Sequence, residues 1–203
     1  MSTTPICSSG IPAGDASLDP RVARSRRRLL DAATDLLVEA GPRGVTVDAV
    51  SERSGVAKST LYRHWDSREA LLVDVMRANV PQIDEPDLSL PFEVALRSLM
   101  RELATTLADP EWARILPALM QLKQQIPELQ ELSEGDTEDK LHVLERVLRA
   151  GVDEGALPAD VDVHLVAHAL IGPMLFAALS GSGGDIVAIG DYCVDRLLAS
   201  YRT

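Results

Sequence analysis

Residues 58–64 place Lys58, Ser59, Thr60, Tyr62, Arg63 and His64 around a single apolar Leu61, with no acid among them. Ammonium, guanidinium, hydroxyl and imidazole groups at this density suit hydrogen bonding to phosphate oxygens and base edges. A solvated helix face is the bland alternative for the same residues. Nothing comparable points to catalysis. The chain shows no nucleophile elbow, no phosphate-cradling glycine loop and no paired carboxylates in a recognisable setting, so neither an enzyme nor a bound cofactor is expected. Cys7 and Cys193 are too far apart for metal-type spacing. Cys193 reads as a packed small hydrophobe, because only Arg196 is near enough in sequence to lower its pKa. His164 and His168 fall on one helical face, yet no Glu or Cys beside them completes a metal site. With His142 they read as buried or interface histidines, and no metal is expected.

The elements around residues 58–64 follow from punctuation in the sequence. Thr46 is a sound N-cap, and Asp48 complements the helix dipole behind it. Ser54-Gly55 stops that helix after two turns, and a third helix begins near Ala57 and runs to Trp65. Ala49, Val50, Val56 and Leu61 form an apolar kernel between the two, and Trp65 seals the third helix against the next. Two short helices across a tight turn make a helix-turn-helix, whose second helix enters the major groove of DNA. Upstream, Asp19-Pro20 opens a helix with apolar Leu29, Leu30, Ala33, Leu36 and Leu37 on one face, and Gly41-Pro42 ends it. Downstream, Asp66 and Glu69 form a capping box for a fourth helix with a Leu71, Leu72, Val75, Met76 stripe.

The run from Thr46 through Ala49-Val50, Ser54-Gly55-Val56, Lys58 and Leu61-Tyr62-Arg63-His64-Trp65, followed by Asp66-Ser67-Arg68-Glu69-Ala70-Leu71, resembles the DNA-binding head of the TetR/AcrR family of transcriptional regulators. The resemblance covers about residues 22–76. It implies that Tyr62 and His64 meet phosphates, and that Lys58, Thr60 and Arg63 lie nearer bases or backbone. Thr46 would offer its backbone N–H to a phosphate, although capping alone accounts for it. Arg24, Arg26, Arg27 and Arg28 either reach adjacent DNA or solubilise the helix end. The family also implies a ligand site among the middle helices of the body. Trp112, Leu116, Met120, Met174 and Phe176 are the large adaptable side chains available to line it, plain core packing being the other reading of each. Apolar walls of that kind imply a hydrophobic or aromatic effector.

Bulk composition is consistent with this division. The chain has 203 residues, 46% hydrophobic, 25% charged and only 3% aromatic, and its net charge is -11. Ala, Leu and Val dominate and no convincing strand is visible, so the fold class is all-α. The charge is unevenly spread: residues 21–77 carry 11 Lys and Arg against 8 Asp and Glu, whereas residues 78–203 carry 9 against 21. A basic head on an acidic body leaves only the head able to face phosphate. The expected organisation is a disordered tail over 1–19, a helix-turn-helix DNA-binding domain over 20–66 and a larger helical ligand-binding and dimerisation domain over 67–203. A connector over Pro81 to Pro91 leads into about five further helices, one capped by Asp109, one restarted at Pro127 with Gly135 as a candidate interruption, and one capped by Asp162. The apolar run Leu165 to Leu179 is read as a buried helix rather than a membrane span. By the family pattern, the last two helices pair with those of a second copy. The faces assigned to that contact are Val163, Val166, Leu170 and Met174 with Ile186, Ile189, Val194 and Leu197, and Gly172-Pro173 permits close backbone approach. The expected protein is thus a cytoplasmic homodimer without a secretory leader that binds double-stranded operator DNA and releases it on taking up a small-molecule effector. A helical small-molecule-binding protein that does not bind operator DNA is the alternative.

Overall fold

The computed structural model describes residues 20–181 and 184–201; the tail expected over 1–19 lies outside them. Among the described residues there is no strand, in line with the Ala- and Leu-rich composition. Nine α-helices are described: α1 (Pro20–Ala40), α2 (Val47–Ser54), α3 (Lys58–His64), α4 (Arg68–Asn79), α5 (Phe92–Ala108), α6 (Pro110–Lys123), α7 (Pro127–Asp153), α8 (Val163–Ser180) and α9 (Ile186–Tyr201). A single 3-10 turn at Pro42–Gly44 follows α1.

The chain forms two compact units that divide after Gln82. Helix α4 belongs to the first, beyond the border at residue 66 expected from sequence, because its Leu71, Leu72, Val75 and Met76 are buried and it packs on α1. Its N-cap is Ser67, whose hydroxyl accepts from the Ala70 N–H at 3.0 Å. The Asp66–Glu69 capping box is therefore corrected by one residue: position three of the helix is Ala70, which has no side-chain acceptor to reciprocate.

In the second unit α5 runs along α9, α7 and α8, and their shared core holds Phe92, Leu96, Met100, Leu144, Leu148, Leu170, Met174 and Val194. Asp109 caps α6 as expected, accepting from Glu111 and Trp112, and Pro117 lies within that helix without ending it. Helix α7 passes through Gly135 unbroken. One glycine costs only ~1 kcal/mol, and Gln130–Glu134, Ser133–Thr137 and Asp136–Lys140 contacts one turn apart brace the segment on both sides.

Helix α8 differs most from expectation. Only Ala167, Leu170, Met174 and Ala177 are buried along its 18 residues. Leu170, Met174 and Val194 lie inside the chain's own core, and Val163, Val166, Ile186, Ile189 and Leu197 pack against that core. The outward face instead carries Leu165 and Phe176, 65% and 71% exposed, with Leu179 beside them and Tyr192 of α9 63% exposed. The error has a simple cause. Helix α8 has no Asp, Glu, Lys or Arg and carries apolar residues on every side, so a 3.6-residue period cannot say which side points inward. Its length and mean hydropathy of 1.7 would also suffice for a membrane crossing, but its inner side is committed to α5, α7 and α9.

Helix α5 is tied to the end of α7 at two points. The Phe92 N–H, an orphan donor at the start of α5, donates to the Glu154 carboxylate at 3.1 Å. Below it the Phe92 ring lies flat on Gly151, where an added Cβ would fall 2.6 Å from ring carbon Cδ2. Gly151→Val is therefore expected to destabilise the protein by about 1–3 kcal/mol through overpacking, read as a lower urea midpoint in circular dichroism. An unchanged midpoint would mean that the Phe92–Gly151 contact is not tight.

Candidate nucleic-acid interface

The helix-turn-helix is built as the sequence suggests. Thr46 caps α2 by accepting from the Ala49 N–H at 3.1 Å. Gly55 turns the chain at φ 64°, a left-handed conformation that side chains with a Cβ rarely adopt. Val50 and Leu61 are fully buried between the helices, whereas Ala49 and Val56 are half-buried. On α3, Lys58, Ser59, Tyr62 and Arg63 are exposed, and Tyr62 is the most prominent apolar ring of the unit at 54%. Thr60 and His64 are only half-buried rather than outward-facing. The His64 Nε2 lies 3.2 Å from the Ser25 hydroxyl of α1, so this imidazole is shared between the outer face and the α1 contact.

Three features of this surface were not legible from spacing. The first is Asp74. Its carboxylate accepts from the Trp65 indole N–H at 2.7 Å and from Arg26 at 2.5 Å, with Arg77 at 3.3 Å on the other oxygen. The Arg26 guanidinium also lies over the Trp65 ring, 5.5 Å from its centre. One side chain of α4 thereby fixes α1 and the end of α3. The available signal was an acid set between Val73 and Val75 in an otherwise apolar run. The second is Arg28, which donates to the Ser54 carbonyl at the turn. Arg26 and Arg28 are accordingly structural, and of the four arginines proposed for DNA, Arg24 and Arg27 remain exposed without such a role. The third is Asp48, which is ion-paired with Lys58. The hydrogen bond and charge of Asp48 hold the Lys58 ammonium above its ordinary pKa. An open groove lined by Asp48, Ser51, Glu52, Gly55, Val56, Ala57 and Lys58 adjoins the pair.

Comparison with known proteins decides the family. Residues 29–75 match the profile described as bacterial regulatory proteins of the tetR family, and residues 91–196 match that of the tetracyclin repressor-like C-terminal domain. The chain belongs to the TetR family. It is a ligand-responsive, DNA-binding transcriptional regulator. Among its relatives, the regulator YdeS of Bacillus subtilis is 26% identical over 163 residues, covering 79% of this chain and 81% of that protein. The repressor KstR2 of Rhodococcus jostii is 28% identical over 162 residues, covering 76% of each. The solved FadR of Bacillus subtilis, in complex with stearoyl-CoA, has a TM-score of 0.68 at 20% identity and covers 87% of this chain and 99% of its own. At that identity the likeness establishes the fold.

The five side chains expected to line an effector site in this TetR-family regulator do not share one environment. Leu116 is buried, while Trp112 and Met120 are half-buried with it on α6, which packs on α5, α7 and α8. Met174 is fully buried on α8. Phe176 points outward and is withdrawn from the set. The Trp112 indole nitrogen is buried and has no hydrogen-bond partner among the described residues, a donor that costs free energy until something accepts from it. Cys193 is half-buried, and burial pushes its thiol above the ordinary pKa, away from thiolate reactivity. His164 and His168 are exposed, not buried, and the carboxylate missed in sequence is Glu145 of α7, 2.7 Å from His164.

The Asp74 node makes a stability prediction. Asp74→Ala leaves the Trp65 indole and the Arg26 guanidinium without their acceptor, and is expected to cost about 1–3 kcal/mol. The measurement is urea unfolding followed by tryptophan emission; a loss within error would place the burden of holding α3 elsewhere.

Proposed function

We propose that this regulator docks α3 in the major groove of a pseudo-palindromic operator as a homodimer, represses in that state, and leaves the DNA on binding a largely apolar effector in the cytoplasm. The observation that carries the reading is the exposed set Lys58, Ser59, Tyr62 and Arg63 on a helix fixed from behind by Leu61 and Trp65. Thr60 and His64 sit at the edges of that set, the latter with Ser25 as a second partner. The Thr46 backbone N–H already donates to the Gly44 carbonyl at 3.0 Å and its hydroxyl caps α2, so its phosphate role is dropped in favour of capping. A Lys58 ammonium already neutralised by Asp48 meets DNA with its counter-charge in place. Phosphate must displace Asp48 or accept its repulsion, so the carboxylate moderates affinity.

Dimerisation is supported by the uncovered side of α8. Leu165, Ala169, Gly172, Pro173 and Phe176 form one outward stripe, flanked by Tyr192 of α9. Nothing touches a Cβ placed on Gly172, so a facing backbone can come close there. A second copy is the occupant that a family of dimers supplies. For the effector, the support is the α6 face of Trp112, Leu116 and Met120 with the unsatisfied Trp112 N–H. Together they favour an apolar molecule carrying at least one hydrogen-bond acceptor. FadR of Bacillus subtilis, with its stearoyl-CoA complex, is a relative whose ligand has that chemistry.

Three measurements test these assignments. Operator binding by fluorescence anisotropy should lose about 1–3 kcal/mol on Arg63→Ala if that guanidinium reads a base, with relaxed preference at one symmetric position. Lys58→Ala should weaken binding across sequences and flatten the salt slope by about 1, whereas Asp48→Asn should tighten binding. A Lys58→Ala, Arg63→Ala double variant matching wild type in affinity and preference would sink the α3 assignment. In sedimentation, Phe176→Glu should give a folded monomer, because the interface would lose part of the ~2,000 Å² such contacts commonly bury. Leu170→Glu should unfold the chain instead of separating it. In calorimetry, acyl-CoA thioesters should bind wild type more tightly than Trp112→Phe, which keeps the ring and removes the donor. Equal affinities would show that the indole N–H is not used.

A further inference from the structure

On α8, His164 and His168 both have Nδ1 engaged by the chain itself. His164 Nδ1 lies 2.7 Å from Glu145 Oε1, and His168 Nδ1 lies 2.9 Å from the His164 carbonyl oxygen. A carbonyl can only accept. Glu145 is nearly buried and its other oxygen accepts from Arg149 at 3.2 Å; a carboxylate paired with a guanidinium accepts on both oxygens. Both Nδ1 atoms are therefore donors, which leaves Nε2 of each ring as the nitrogen able to meet a metal. Among the described residues neither Nε2 has a hydrogen-bond partner. The rings are one helical turn apart with centroids 4.4 Å from each other, on the exposed side of the helix.

We propose that His164 and His168 form a binding site for a divalent transition-metal ion that prefers nitrogen ligands, Zn²⁺, Ni²⁺ or Cu²⁺, held through both Nε2 atoms. Glu145 is the positioning residue behind His164. Metal-ligating histidines almost always give their other ring N–H to a carboxylate or a backbone carbonyl, and this pair has one of each. Histidines at i and i+4 are a recurrent way for one helix face to present two imidazoles to a metal. Imidazole suits Zn, Cu and Ni. Arg149 holds the second oxygen of Glu145 at 3.2 Å, so the carboxylate is fixed behind the ring instead of swinging forward as a ligand. Among the described residues no cluster of three or more ligating side chains exists, and water completes the shell in the isolated chain. At about 100° per residue the pair is displaced toward α7 from the Leu165, Ala169, Phe176 stripe, which leaves it at the rim of the proposed dimer contact.

The test is Zn²⁺ titration of full-length, untagged, metal-free protein by calorimetry in a non-chelating buffer. Wild type should bind one ion per chain. Glu145→Gln should weaken binding about 10–100-fold, and His168→Ala, at an exposed position, should weaken it further. His142→Ala removes an exposed histidine from α7 outside the pair and should leave the affinity unchanged. With Cu²⁺ the wild-type electron paramagnetic resonance spectrum should show coupling to two imidazole nitrogens, reduced to one in His168→Ala. Zn²⁺ affinity retained in His168→Ala, or no binding by wild type, overturns the site and leaves the two histidines as a solvated pair. Because His168 is exposed, its variant remains informative even if Glu145→Gln fails to fold.

Discussion

Helix α8 imposes the strongest constraint on the molecule, since 18 residues without an Asp, Glu, Lys or Arg must be covered on more sides than one chain can supply. Its inner side, with Ala167, Leu170, Met174 and Ala177, is satisfied by α5, α7 and α9. That packing is why the second unit has one continuous core and why α5 lies central to it. The outer side keeps Leu165 and Phe176 in water, and apolar burial at roughly 25 cal/mol per Å² makes its covering by another surface favourable. In the proposed dimer a second copy covers it symmetrically, and symmetry would in turn give the regulator two recognition helices for two half-sites. Under that proposal, dimeric recognition of DNA begins with the composition of a helix far along the chain from the residues proposed to meet DNA.

The recognition helix itself has little means of standing alone. Seven residues are too few to be stable in water as an isolated helix. Helix α3 is held by the buried Leu61 on one side and by the Trp65–Asp74–Arg26 node at its end. Arg28 fixes the turn before it by binding the Ser54 carbonyl. Several basic residues of the head therefore serve its architecture, and its count of 11 Lys and Arg overstates the number available to phosphate. Lys58 is a mixed case, exposed but already partnered by Asp48. The basic surface of the head is thus smaller than the count of its Lys and Arg suggests.

In the second unit, polar groups left near the surface carry more information than its core does. The core is what any all-helical domain needs, whereas the Trp112 N–H has no acceptor among the described residues and Glu145 sits nearly buried between Arg149 and His164. Each costs free energy unless something nearby compensates it. Glu145 is compensated within the chain, whereas the Trp112 N–H has no partner among the described residues, and that difference is why the first is proposed as a positioning group and the second as a binding group.

The sequence by itself determined the local elements and the head. Thr46, Gly55, Asp109 and Asp162 mark helix ends through contacts within three residues of themselves or through their own backbone preference, and such local physics needs no tertiary context. The helix-turn-helix was legible because its kernel residues and its turn lie within one short stretch. Tertiary structure alone decided which side of α8 faces inward, that Phe176 leaves the effector set, that Arg26 and Arg28 are architectural, and that Glu145 lies behind His164. These pairings join residues 19 to 48 positions apart. No periodicity encodes which of several apolar faces or acids will meet across such a distance, because that choice is made by how whole helices pack.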